Sequence, residues 1–204
     1  MITPETSYTF SQPSEGIQSL NKWVFETIRP FIKGRTLEIG SGTNSLCPLF
    51  SEYNRPIHLS DTNQFYLQTL RDTYKDNPFV RAVHDFDFSS AEFQQSNPDT
   101  TNVFDTVIAL NVSLTDSGNL VDNIKFVLRP GGTLAVIVPA YTYIYDGLGQ
   151  NLYDWKRYNW KDMSSILMHK FSIQRVRYLN LKSDSAKNYF SRSGLSALAT
   201  VRNK

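Results

Sequence analysis

LEIGSGTN, residues 37–44, is the stretch that decides how this chain folds. An apolar segment runs into a turn in which Gly40 and Gly42 stand two positions apart, the spacing of a nucleotide-binding loop at a strand exit. A dinucleotide fingerprint, GxGxxG, needs a third glycine at position 45, where this chain has Ser45. That glycine lets helix and strand pack closely while the helix N-terminus holds a pyrophosphate. Glu38, two residues before the first glycine, is foreign to a pyrophosphate cradle. The alternative pattern is ExGxG, from Glu38, Gly40 and Gly42, followed by Asp61 at the end of the next strand. A carboxylate there accepts hydrogen bonds from both hydroxyls of a ribose. NAD sites carry an acid at the same point, so Asp61 alone does not separate the two.

Working outward, apolar strands alternate with amphipathic helices. Residues 15–33 read as a helix disturbed by Pro30, and 35–40 as a strand entering the glycine turn. A helix follows over 45–53, then a strand over 56–61 and a helix over 63–76 with Asn63 as its cap. Residues 79–88 form a strand and its exit loop, and VFDTVIAL (103–110) is a strand of the buried parallel type. A helix over 117–128 is stopped by RPGG (129–132), a turn signal, before a buried strand over 133–140. The aromatic stretch 141–160 reads as a long loop insertion. A helix over 161–170 and strands over 171–180 and 195–203 complete the chain. This alternation predicts an α/β fold with a doubly wound, mostly parallel sheet.

The chain's 204 residues suit one domain, 1–204, with an N-terminal arm and helix over 1–33. A net charge of +2 gives no basic footprint for a nucleic acid. One cysteine, Cys47, excludes an internal disulfide and a multi-thiolate zinc site, and the three histidines lack metal-ligand spacing. No apolar run reaches the roughly 18 residues of a membrane span, and the first residues lack signal-peptide features. The expectation is a soluble, cytoplasmic protein without a metal.

With the motifs in this order, the chain resembles the class I S-adenosylmethionine-dependent methyltransferases over nearly its whole length. LEIGSGTN looks like their first motif, LSDTN (59–63) like the acidic second, and HDF (84–86) like the segment beside the adenine. FDTVIALNV and LRPGGTLAVIVPA resemble the fourth-strand motif and the helix–turn–strand after it. The resemblance implies a Rossmann-like, seven-stranded, mostly parallel sheet with an antiparallel last strand, and S-adenosylmethionine as cofactor. It implies that Glu38, Gly40 and Gly42 form the cofactor loop, with the two glycines under the methionine part. It further implies that Asp61 holds the ribose, that Asp85 and Phe86 border the adenine with Asp87 toward solvent, and that Asn111 lies beside the sulfonium.

The segment VPAYTYIYDGLGQNLYDWKRYNW (138–160) resembles a bacterial subgroup with a "VPA…GHYRRY" segment. Three departures stand out. Asn44 replaces a third loop glycine, Leu114 and Thr115 replace a Glu-His pair, and Asp154 replaces the histidine of the later segment. Asp154, Tyr141 and His84 are the candidate bases for an oxygen nucleophile. The aromatic loop favours a small or medium acceptor: a sugar, a lipid-linked or an aromatic molecule. A cofactor-binding pseudo-methyltransferase and an NAD(P)-dependent oxidoreductase stay open as alternatives.

Overall fold

The computed structural model describes residues 15–42, 44–110, 112–114, 118–139, 158–180 and 195–203. Helix α1 (Glu15–Ile28) ends where Pro30 starts a 3-10 turn, because proline supplies no amide to continue the α-helical ladder. Strand β1 (Thr36–Ile39) is buried at all four positions, as a central parallel strand must be. It leads through the glycine turn to α2 (Cys47–Glu52), then β2 (Ile57–Asp61) and α3 (Gln64–Tyr74). Asn63 caps α3, its side chain accepting from the amides of Phe65 and Tyr66. Next come β3 (Val80–Asp85), the short α4 (Phe93–Ser96), β4 (Phe104–Leu110) and α5 (Asn119–Val127). β5 (Leu128–Pro139), α6 (Trp160–Leu167), β6 (Phe171–Asn180) and β7 (Leu195–Asn203) follow.

The seven strands form one sheet in the order β3-β2-β1-β4-β5-β7-β6. Pairing is parallel from β3 to β5, and β7 runs antiparallel to both of its neighbours. One face buries Phe25 and Ile28 of α1, Phe50 of α2 and Leu70 of α3 against Leu59, Ile108 and Ile137. The other buries Phe93, Ile124, Val127, Met163 and Leu167 against Leu37, Val107 and Val136. Strand order reverses between β1 and β4, so the crevice beyond their carboxyl ends is where such a sheet binds ligands.

One expectation is corrected. RPGG is no turn ahead of β5; pairing begins at Leu128, and residues 129–132 bulge opposite Asp105 before the ladder resumes at Thr133. Arg129 closes the bulge, its guanidinium 2.9 Å from Asp105. The helix α4 was not foreseen, because four residues are too few to show a period. No helix among the described residues is long and apolar enough to cross a membrane.

Candidate functional site

The loop after β1 is organised by a buried acid. Glu38 is fully buried, with Oε2 accepting from Ser45 Oγ at 2.5 Å and from Ser41 Oγ at 3.3 Å. Its Oε1 accepts from the Leu46 amide at 2.8 Å, and Ser45 Oγ accepts from the Cys47 amide at 3.0 Å. Burial raises the Glu38 carboxyl to about 7, against the lowering effect of those hydrogen bonds. Glu38 thus fills the start of α2 from inside the protein, where a pyrophosphate cradle leaves amides for an outside anion. Its carboxyl is spent on the loop.

The glycines let that loop fold back on β2. Gly40 has φ +73°, and a Cβ there would stand 3.1 Å from the Leu110 carbonyl oxygen. Gly42 is also left-handed, at φ +36°. The amides of Gly40 and Ser41 both donate to the Ser60 carbonyl, at 3.0 and 3.1 Å, and that of Gly42 donates to Asp61 Oδ2 at 2.9 Å. Three successive amides of the glycine turn are therefore satisfied within the chain.

A cleft of about 340 Å³ opens at the carboxyl ends of β1–β4. It is lined by Gly40 from the loop, Asp61 and Thr62 after β2, Phe86 and Asp87 after β3, and Ser113 after β4, among others. Its volume lies within the roughly 300–1,000 Å³ of small-molecule sites. Asp61 holds two backbone amides, Gly42 on Oδ2 and Asn63 on Oδ1 at 2.9 Å each. An ionised carboxylate has about four acceptor positions, so two remain for donors from outside, the number a ribose diol supplies. No lysine or arginine is among the described residues lining the cleft.

Of the positions named from the sequence, Gly40, Asp61 and Phe86 meet in this cleft, and Gly42 stands behind Asp61. Asp85 is not among the residues lining it; it is exposed, its Oδ2 accepting from Gln64 Nε2 at 2.8 Å. Asp87, expected toward solvent, is exposed and also lines the cleft, its Oδ1 accepting from the Ser89 amide at 2.9 Å. β3 ends at Asp85, and Asp87 lies in the loop beyond it. His84 is also off the cleft; its Nε2 lies 3.0 Å from His58 Nδ1, and its ring stacks on Phe86 with centroids 4.4 Å apart. Leu114 is buried in the core on the α5 face. Asn111, Tyr141 and Asp154 lie outside the described residues.

Sequence reasoning missed Tyr158. Its hydroxyl accepts from the Leu114 amide at 2.8 Å and lies 3.3 Å from Ser113 Oγ, bracing the β4 exit that walls the cleft. The aromatic stretch carried the signal, but nothing in its spacing singles out this tyrosine from its neighbours. Thr62, Ser113 and Leu120 were missed too; their position just past a strand or at the start of α5 was the available clue.

Residues 37–136 match a family described as a methyltransferase domain. No curated protein sequence matches the chain. Among solved structures, one described as a SAM-dependent methyltransferase from Methanosarcina mazei superposes with TM-score 0.65 at 13% identity, covering 87% of this chain and 96% of the other. The N-methyltransferase NodS from Bradyrhizobium japonicum gives TM-score 0.66 at 14% identity, covering 95% and 99%. The [4+2]-cyclase SpnF gives 0.66 at 16%, covering 91% and 80%. The fold is thus the Rossmann-like methyltransferase fold, and the domain match indicates S-adenosylmethionine as the cofactor.

Proposed function

We propose that this chain is an S-adenosylmethionine-dependent methyltransferase acting on a small or medium acceptor. The observation that carries the reading is the accounting of loop amides. Gly40, Ser41, Gly42, Leu46 and Cys47 all donate within the protein, and the cleft offers Asp61 and Asp87 with no lysine or arginine among the described residues that line it. A pyrophosphate would meet two carboxylates and spent donors, which disfavours an NAD(P)-dependent oxidoreductase. A neutral diol and a sulfonium meet no such penalty.

When bound, the cofactor supplies a methyl group already activated by the positive sulfur. The protein's part is alignment, worth roughly 7–11 kcal/mol when geometry is good. In this reading Asp61 fixes the ribose through its two remaining acceptor positions, and Phe86 offers an apolar ring to the adenine. Gly40 keeps the loop low enough for the methionine part, and Asn111 stands beside the sulfonium end. Asp154 is the first candidate for the base that takes the acceptor's proton, with Tyr141 second. The aromatic stretch 141–160 supplies the acceptor wall, which suits a sugar, a lipid-linked or an aromatic substrate.

A second reading has one observation behind it. Leu114, standing where relatives carry the glutamate of a Glu-His pair, is packed into the core and offers no acid to an acceptor. A domain that binds cofactor without turnover would show this. Calorimetric titration with S-adenosylhomocysteine and with NADH tests the cofactor. Micromolar binding of the first alone is expected, weakened tenfold or more (about 1.4 kcal/mol) in Asp61→Ala; binding of NADH instead would overturn the proposal. Turnover in an acceptor screen then separates enzyme from pseudoenzyme. Asp154→Asn is expected to cut that turnover by roughly 10²–10⁴ with cofactor affinity unchanged, and an equal loss of both would count against Asp154 as base.

A further inference from the structure

We infer that His84 is a positioning residue of the cofactor cleft, its ring holding that of Phe86 in place in the cleft wall. The ligand in this inference rests on the methyltransferase reading above; the residue rests on ring geometry. His84 is not among the residues lining the cleft, and its Nε2 is spent on His58 Nδ1 at 3.0 Å. It therefore acts through Phe86 and not on a ligand.

Rings follow one another from the amino end of β4 to the cleft. Phe104 opens β4, and the His58 ring stands edge-on to it with centroids 5.2 Å apart. His58 pairs with Ala82 and His84 with Ser60, so the two histidines are diagonal neighbours across β2 and β3. Their rings lie 14° from parallel, with centroids 5.3 Å apart. The His84 ring then covers one face of Phe86, 9° from parallel and 4.4 Å away. Phe86 in turn meets Phe88 and Phe93 at near right angles, with centroids 5.9 and 5.7 Å apart. Phe86 and Phe88 both line the cleft.

Of the three rings around Phe86, His84 alone has a polar tie. Its hydrogen bond to the next strand fixes the plane of the imidazole, and a stacked partner of fixed plane fixes the plane of Phe86. Burial keeps both histidines below the ordinary histidine range, His58 at about 4, where the His84 ring, Arg35 and Arg81 add to the lowering. Near neutral pH both rings are therefore uncharged, so one nitrogen donates, the other accepts, and the tie is kept. Phe86 is only 8% exposed, so what it offers the cleft is set by how its ring is turned. Without the imidazole behind it, Phe86 gains room to turn away, and a bound adenine would have to order that ring at a cost in affinity.

The test is calorimetric titration of the full chain with S-adenosylhomocysteine and with adenosine, which lacks the methionine part. His84→Ala should weaken both by the same factor, about fivefold, the scale of one aromatic pair. His84→Phe, which keeps a ring against Phe86, should recover most of that affinity. In NMR spectra of the wild type, the His84 imidazole should shift saturably with adenosine. Exposed His169, ahead of β6 at the other end of the sheet, should stay still. That shift is read on the unmutated chain, so it stands even if His84→Ala does not fold. Affinity of His84→Ala within about twofold of wild type, a His84→Phe variant as weak as the alanine one, or an imidazole unmoved by adenosine would each overturn the inference. Failure of the wild type to bind S-adenosylhomocysteine would overturn the cofactor reading itself, and this inference with it.

Discussion

At Glu38 burial and hydrogen bonding pull in opposite directions, and burial wins, moving the carboxyl from 4.5 to about 7. The folded chain holds this proton more tightly than the unfolded one. The stability it contributes is therefore fully present below about pH 4.5 and is lost as pH rises through 7. Over that window the linkage is worth roughly 3 kcal/mol. His58 works the other way: with its pKa lowered to about 4, chiefly by burial, its contribution is present above pH 6.5 and lost as pH falls through 4. Urea unfolding of Glu38→Gln across this range should show stability that no longer declines between pH 4.5 and 7, leaving the histidine slope exposed. A variant whose pH profile ran parallel to wild type would show that Glu38 stays ionised in the fold.

The elements around the cleft owe their placement to a few polar ties. Helix α6 begins with a capping box, in which Asn159 accepts from the Asp162 amide and Asp162 accepts from the Asn159 amide, each at 3.0 Å. That box fixes the residue just before it, Tyr158, against the β4 exit. Tyr158→Phe strands the Leu114 amide in the core, at a cost of about 1–3 kcal/mol, and loosens the cleft wall at Ser113. It should lower both the urea midpoint and S-adenosylhomocysteine affinity. Asn159→Ala removes only the cap, costing about 1 kcal/mol, and should leave affinity alone. Equal effects on affinity would mean that α6 as a whole, rather than the tyrosine hydroxyl, holds the wall.

Across the whole molecule the cleft draws on β1, β2, β3, β4 and α5, so a ligand bound there ties the sheet end together. S-adenosylhomocysteine at a hundred times its dissociation constant should stabilise the fold by about 2.7 kcal/mol, a rise in Tm of about 5–11 °C for a chain this size. NADH should give no rise, and Asp61→Ala, tenfold weaker or more, should lose about half of it or more at the same ligand concentration. A Tm unmoved by S-adenosylhomocysteine would place the ligand of this fold elsewhere. Much of this architecture was written in the chain. Continuous apolar runs specified buried parallel strands, and the glycines after β1 specified a left-handed turn, because both are consequences of local backbone and side-chain chemistry. Asn63 announced its own helix for the same reason. The RPGG segment was misread because a bulge and a turn use the same residues; only pairing with β4 chose between them. Glu38 was visible as a motif residue, but whether its carboxylate met a ligand or the loop depended on which serines the fold brought beneath it. The same holds for Asp87, which reaches the cleft lining, and for Tyr158 at the exit of β4. Local chemistry sets which element a residue joins, whereas distance between residues far apart in sequence exists only once the sheet has closed.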